Sequence, residues 1–308
     1  MRASNCNLKA IHIFVTVAEH SSFRKASESL NRSQSAVSTQ IKLLEEQIGV
    51  ALFHRTTRRV DLTPEGRQFF EHAKRAMTSL DAGLRYIEDT AKLETGFVPF
   101  ACLPSIAASV LPDILMRFQQ RRPNIKIQVM ETSYEQILNA VGSHEAQFGI
   151  GPVVDSEPDF DFTPVMTERI FAMVPKRYGF AGSAGFALKE VAAIPVIMAS
   201  MSAVLRAEIN KALADQGIAV ENFIEVSQVQ TMMAFAAAGL GVALVPKLMV
   251  DWRMSDVVDI LPLVEPELSR TLSLIRVKGN FLSPAATELS AMICRELEQY
   301  RAKDLPAG

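Results

Sequence analysis

At 308 residues the chain exceeds what one ordinary core covers, so two or three domains are expected. Its 48% hydrophobic and 21% charged residues fit a globular protein and exclude a disordered or fibrous one. The net charge of -2 is unevenly spread, with 9 Lys+Arg against 5 Asp+Glu over residues 1–64 and 18 against 24 over residues 93–308. A basic head on an acidic body points to a polyanion partner for the head alone. The longest nearly apolar run, Met232–Pro246, is too short and glycine-rich to span a bilayer. The opening MRASNCNLK lacks the apolar core of a signal peptide, so a cytoplasmic protein without a membrane partner is expected. Cys6, Cys102 and Cys294 are far apart and lack CxxC spacing, which argues against a disulfide framework or a zinc site.

Leu8, Ile11, Phe14, Val15 and Ala18 recur at helical spacing and make the first element an amphipathic helix. Ser21 or Ser22 can cap a second helix, whose apolar side is Phe23, Ala26 and Leu30. Asn31 and Arg32 make a turn, Asn31 tolerating a left-handed backbone, and Ser33 is placed to cap a third helix. Along that helix Val37, Ile41, Leu44 and Ile48 face inward, while Gln34, Ser35, Ser38, Thr39 and Lys42 share the opposite side. Short amides and hydroxyls can approach base edges and phosphates. Apolar Leu52-Phe53 and Val60-Leu62 flank the basic tip His54-Arg55-Thr56-Thr57-Arg58-Arg59, the pattern of a small β-wing. A winged helix-turn-helix follows, with a protein-binding helical adaptor as the alternative.

The run Ser22-Phe23, Ala26, Leu30, Ser33-Gln34-Ser35-Ala36-Val37-Ser38, Gln40-Ile41, Leu44-Glu45, Gly49, Leu52-Phe53, Arg55, Leu62-Thr63-Pro64 and Gly66 resembles the N-terminal signature of the LysR-type transcriptional regulators. The resemblance implies that Gln34, Ser35, Ser38 and Thr39 lie along a major groove, with Ser22, Ser33, Lys42, Arg55, Arg58 and Arg59 facing phosphates. Ser27 departs from the pattern, since an alanine is usual there.

Thr63, Pro64 and Glu65 suit the start of a long helix as cap, first helical residue and partner of the positive dipole end. Phe70, Ala73, Met77, Leu80, Leu84, Ile87 and Ala91 then repeat at steps of three and four. Such a stripe either pairs with a second copy or packs on the chain's own body. A helix of about 43 Å is longer than one small domain needs, which favours dimerisation through Phe70, Ala73, Met77, Leu80, Leu84 and Ile87. Two paired heads read an inverted repeat. The resemblance likewise implies dimers, often assembled into tetramers, with RNA polymerase as a candidate further partner.

Beyond Gly96 strands alternate with helices. Strands are expected near Phe97–Leu103, Ile125–Glu131 and Gln147–Ile150, with helices over Ile106–Gln120 and Tyr134–Val141. A second set has strands near Arg169–Val174, Pro195–Ala199, Phe223–Val226 and Gly241–Val245, and helices near Ala203–Gln216 and Val229–Ala238. Strand Thr271–Val277 and a helix from Pro284 close the chain. This alternation argues parallel α/β sheets in two subdomains, joined by crossovers around Asp161–Glu168 and Pro262–Arg270. The topology resembles the LysR-type effector domain, itself similar to periplasmic solute-binding proteins; Gly239–Pro246 and Leu111-Pro112 match it, and Gln147 departs where an aspartate is usual. The division is thus 1–63 for the head, 64–94 for the linker helix and 95–308 for the effector domain. Subdomain I takes about 95–164 and 269–308, and subdomain II about 165–268.

In such sheets small ligands sit beyond the strand ends, where helix N-termini offer amides to anions. Ser105, Thr132, Ser133, Ser200, Met201, Ser202 and Gln228 lie at those ends, and their hydroxyls suit a small anionic effector, although the same residues are ordinary helix caps. Met232 and Phe235 could add an apolar wall or simply be core. No GxSxG, P-loop, GxGxxG or HExxH is present, so neither an enzyme nor a cofactor or metal is expected. Two alternatives remain beside an effector-controlled DNA-binding regulator: a redox-responsive regulator using Cys102 and Cys294, and a solute-binding or adaptor protein without an operator.

Overall fold

The computed structural model describes residues 7–54, 60–91, 96–153, 157–199, 203–220 and 223–302. Two units separate, residues 1–85 and residues 86–308.

The first unit holds helices α1 (Leu8–His20), α2 (Phe23–Ser29) and α3 (Gln34–Ile48), and most of α4 (Pro64–Ala91). Short polar side chains start each helix: Asn7, Ser22 and Ser33 accept hydrogen bonds from the amides of Lys9, Lys25 and Ala36 at 2.9, 3.3 and 3.2 Å. Asn31 takes the expected left-handed backbone, φ 51°, and Gly49 ends α3 at φ 83°. Phe14, Val17, Ala26, Val37, Ile41, Leu44 and Leu52 are buried together, with Phe14 against the rings of Phe53, Phe69 and Phe70. Ser27 fits this core because its hydroxyl donates to Arg24 O at 2.8 Å, so the departure from alanine leaves no buried polar atom unmatched.

The body opens with β1 (Gly96–Cys102), α5 (Pro104–Ser109), α6 (Leu111–Arg121), β2 (Ile125–Glu131), α7 (Tyr134–Gly142) and β3 (Phe148–Pro152). The single helix expected over Ile106–Gln120 is two. Pro112, which lacks an N–H, sits in the first turn of α6, and the chain bends at Val110. Strands β1, β2 and β3 are parallel. Gln147 fills its unusual position with both ends of its amide, donating to Phe97 O at 3.0 Å and accepting from Ser283 N at 3.2 Å.

Next come β4 (Phe160–Pro175), β5 (Phe186–Ala187), β6 (Val196–Ala199), α8 (Ala203–Asp215), β7 (Phe223–Val226), α9 (Val229–Ala237), β8 (Val242–Pro246), β9 (Val258–Val264), β10 (Ser269–Val277) and α10 (Pro284–Ala302). The expected crossover Asp161–Glu168 is itself strand. Residues 160–169 of β4 pair antiparallel with β10, and residues 170–175 continue into the second subdomain against β8 and β9. The two expected parallel sheets are therefore joined along one 16-residue strand, in the order β2-β1-β3-β10-β4-β8-β6-β7, and the joining strands run antiparallel to their neighbours. The register slips between Leu272 and Ser273, opposite Pro164, whose ring nitrogen has no proton for a ladder bond.

Along β4 the period-two alternation divides the second subdomain's core, with Ile170, Ala172 and Val174 on one face and Phe171 and Met173 on the other. Helix α10 returns to the first subdomain, where Leu289, Ile293 and Leu297 join Phe100, Phe118 and Phe148.

Candidate functional site

Two surfaces carry candidate function, one on each unit. On the head, the inward residues of α3 leave Gln34, Ser35, Ser38, Thr39 and Lys42 exposed on one side. Ser33 caps the helix, and its Oγ lies 3.1 Å from Ser35 Oγ. The Thr39 hydroxyl donates to Ser35 O at 2.9 Å, so toward a partner it offers an acceptor and a methyl group. Ser22 caps α2, a role compatible with a nearby phosphate but already accounted for by the helix. Lys42 lies 3.7 Å from Glu46, both exposed, a pairing weak enough to yield to a phosphate.

After α3 the chain turns into a hairpin, with an antiparallel bridge between Phe53 and Leu62 and a bond from His54 N to Asp61 O at 2.8 Å. Arg55, Arg58 and Arg59 lie outside the described residues. Sequence reasoning missed Glu45, whose Oε1 accepts from Leu52 N at 2.7 Å and Phe53 N at 3.1 Å, tying the base of the hairpin to α3. The Thr63 hydroxyl donates to Ala51 O at 2.8 Å and accepts from Gly66 N at 2.9 Å, so one residue caps α4 and anchors the hairpin. Gly66 is required there, since a Cβ would stand 2.0 Å from Leu52 O.

The stripe on α4 divides between two environments. Ala73 is buried and Phe70 and Met77 half-buried, all three against the head's own core, whereas Leu80 and Leu84 are 40% and 52% exposed. The reason is the position of α4 directly after the hairpin, which lays its first turns on α1. Of the six residues assigned to pairing, Phe70, Ala73 and Met77 thus have an intramolecular role, and the Ile87 side chain lies outside the described residues.

In the body a cavity of about 480 Å³ opens between the two subdomains. Ser105, Ser133 and Gln228 line it, as the strand-end argument expects. Thr132 is half-buried and bonded to Gln136 instead, and Ser200, Met201 and Ser202 lie outside the described residues. Ser133 and Gln228 occupy the N-cap positions of α7 and α9, and neither makes a side-chain cap bond. Met232 and Phe235 belong mainly to the core, although Met232 also borders a smaller apolar pocket of about 30 Å³.

Four residues of the cleft escaped sequence reasoning. Arg270 and Glu168 face each other in the β10–β4 register and form a buried ion pair at 2.7 Å, with Arg270 Nε also donating to Glu168 Oε1 at 2.8 Å. Arg270 Nη2 donates to Ser105 Oγ at 2.9 Å, and Glu168 Oε2 accepts from Leu248 N at 2.9 Å. One pair thereby ties the strands joining the subdomains to the start of α5 on one side and to the segment after β8 on the other. Tyr134 lines the cavity, and its hydroxyl is buried with no hydrogen-bond partner among the described residues. Burial, with the nearby Glu157 carboxylate, pushes that phenol up to about 12, so it remains a donor. Glu135 follows it at the cavity edge.

Cys102 and Cys294 do not resemble reactive cysteines. Burial, then Glu131, pushes the Cys102 thiol up to about 12, and burial, then Glu298, pushes Cys294 to about 11.

Comparison with known proteins agrees across the chain. Residues 8–67 match the family model described as "Bacterial regulatory helix-turn-helix protein, lysR family", and residues 91–298 match "LysR substrate binding domain". The chain is 32% identical to the uncharacterized HTH-type transcriptional regulator YbhD of Escherichia coli K12, over 93% of this chain and 90% of that one. It is 27% identical to the transcriptional dual regulator GltC of Bacillus subtilis, over 96% and 99%. Among solved structures it is similar to a full-length OxyR variant from Pseudomonas aeruginosa, at TM-score 0.72 and 20% identity over 98% and 99% of the two chains. A full-length CbnR complexed with its target DNA is similar at TM-score 0.67 and 18% identity, over 94% and 99%.

Proposed function

The chain belongs to the LysR family of bacterial transcriptional regulators, and from that premise we propose that it is a dimer or tetramer that reads an inverted-repeat operator and is controlled by a small molecule held in the cleft of its body. The observation that carries the DNA reading is the side of α3: Val37, Ile41 and Leu44 turn inward, leaving Gln34, Ser35, Ser38 and Thr39 exposed together. Gln34, Ser35 and Ser38 keep side chains able to bond base edges, and Thr39 offers its methyl to a thymine methyl. Ser22, Ser33, Lys42, Arg55, Arg58 and Arg59 position the head on phosphates. That the similar CbnR was solved in complex with its target DNA supports this placement.

One head offers few base contacts, so specificity depends on two heads held at fixed spacing. Leu80 and Leu84, exposed on α4, are the residues of the stripe best placed to meet a second copy; Ile87 extends the same stripe in sequence. In the cleft, Ser105, Ser133 and Gln228 converge on one cavity whose volume falls within the usual range for small-molecule sites. A ligand bound there acts by its different affinity for the operator-competent and other arrangements of the assembly. Thr132 and Ser200–Ser202 belong to the same proposed effector region, and RNA polymerase is a further proposed partner. No described helix is long and apolar enough to cross a membrane, which supports a cytoplasmic location.

The test is a gel-shift titration on the DNA upstream of the gene. Loss of Arg55, Arg58 and Arg59 together should flatten the salt dependence of binding by about three phosphate contacts. An unchanged slope would remove the hairpin from the interface.

A further inference from the structure

We propose that the cleft takes a zwitterion carrying an apolar group, a molecule of the apolar amino-acid type, in place of a simple anion. The proposal rests on the reading of the cleft as the effector site and adds the chemistry of the ligand.

One end of the cavity is built for a carboxylate. Tyr134 is 9% exposed, and its buried hydroxyl has no partner among the described residues, a state that costs free energy until a ligand supplies one. Arg270 presents a guanidinium whose Nε and Nη2 are committed to Glu168 and Ser105, leaving Nη1 without a partner among the described residues. Glu168 therefore fixes the plane of the guanidinium as a positioning residue, and Ser105 fixes its edge. Helices α7 and α9, nine residues each, both begin at the cavity with no side-chain cap, so their first amides are also available.

The charge balance limits what may come with that carboxylate. Among the described residues that line the cavity, Arg270 and Glu135 alone are charged, and the charge of Arg270 is already matched by buried Glu168. Glu208 on α8 is close enough to Arg270 to feel its charge, and Glu157 is close enough to Tyr134. A bare anion would thus enter a site with carboxylates in excess. An ammonium on the same molecule removes that conflict by facing Glu135, which is exposed at the cavity edge.

Third, the cavity shares Leu205, Val229 and Pro246 with the smaller pocket beyond, which Ile197, Ile209, Met232 and Leu244 make apolar. Arg206, the one charged residue among the described residues bordering that pocket, is paired with Glu225 at 2.9 Å. An apolar substituent directed there is desolvated without stranding a polar group.

The experiment is calorimetric titration of the full-length protein with L-leucine, L-methionine and L-phenylalanine. Each is compared with its deaminated acid and its decarboxylated amine, and glutarate serves as a dianion. At least one amino acid should bind about tenfold or more tightly than both of its counterparts and than glutarate. Tyr134→Phe should weaken it about tenfold or more, as expected for a hydrogen bond to a charged group. Glu135→Gln should remove the advantage over the deaminated acid while leaving that acid's own affinity in place. The proposal falls if an acid or glutarate binds as tightly as the amino acid, or if no amino acid binds. An acid preferred in the wild type and weakened by Tyr134→Phe would keep the cleft as the effector site and remove only the zwitterion. An amino acid whose affinity both variants leave unchanged would place the site elsewhere and overturn both readings.

Discussion

Replacing Glu168 by leucine tests whether the buried pair joins the two halves of the body. Glu168 is 3% and Arg270 9% exposed, so Glu168→Leu strands a guanidinium in a site that excludes most water. Breaking a buried pair from one side costs about 3–5 kcal/mol. The Leu248 amide, bonded to Glu168 Oε2 at 2.9 Å, loses its acceptor as well, adding about 1 kcal/mol or more. The double variant Glu168→Leu with Arg270→Met removes the stranded charge and should recover most of the loss, leaving roughly the cost of the unmatched Leu248 amide and Ser105 hydroxyl, about 1–3 kcal/mol. Trp252 is the chain's single tryptophan and packs edge-on against Phe171 in the second subdomain. Urea unfolding followed by its fluorescence therefore reports on the body without contribution from the head. A single-variant loss under about 1 kcal/mol, or a double variant as unstable as the two singles added, would show that the pair does not hold the strands together.

Other variants test the head and the thiols. Gly66→Ala puts a methyl 2.0 Å from Leu52 O, so the start of α4 must move; thermal unfolding should show a loss of about 1–3 kcal/mol or more. Glu45→Ala removes the acceptor for two amides at the hairpin base and should weaken operator binding with little change in the far-ultraviolet spectrum; full affinity would mean the hairpin is held by other contacts. Leu80→Asp with Leu84→Asp should drive the protein toward monomer in sedimentation equilibrium, and an unchanged mass would place the pairing surface elsewhere. The Cys102 thiol is raised from 9.0 to about 12 in the folded protein, so its stabilising effect is complete below pH 9 and is lost as pH rises toward 12. Cys102→Ala should flatten that part of the stability profile, and neither Cys102 nor Cys294 should form sulfenic acid under mild peroxide.

The legible parts of this chain were those with local causes. Ser33, Asn31 and Thr63 shape their own turns, and the α3 period separates the Val37–Ile48 side from the Gln34–Lys42 side without any distant partner. The errors came where a distant strand decides. Asp161–Glu168 and Pro262–Arg270 are rich in charge and proline and read as connections, yet pairing with β10 makes Phe160–Glu168 strand. Glu168 and Arg270, 102 positions apart, close both of those segments in sequence. Only the β4–β10 register brings them together, so neither residue looked special alone. The stripe on α4 shows a different limit. Periodicity identified Phe70 through Leu84 as apolar but could not say that Phe14 would claim its first turns.

The proposed function requires that a ligand in the cleft of the body control how the head binds DNA. It is tested most directly by fluorescence anisotropy of the full-length protein on an operator selected from random DNA, with and without a calorimetrically identified cleft ligand. The ligand should shift operator affinity about fivefold or more, and Tyr134→Phe should raise the ligand concentration needed without altering ligand-free binding. Operator affinity unmoved by saturating ligand, or moved equally in the wild type and in Tyr134→Phe at every concentration, would contradict it.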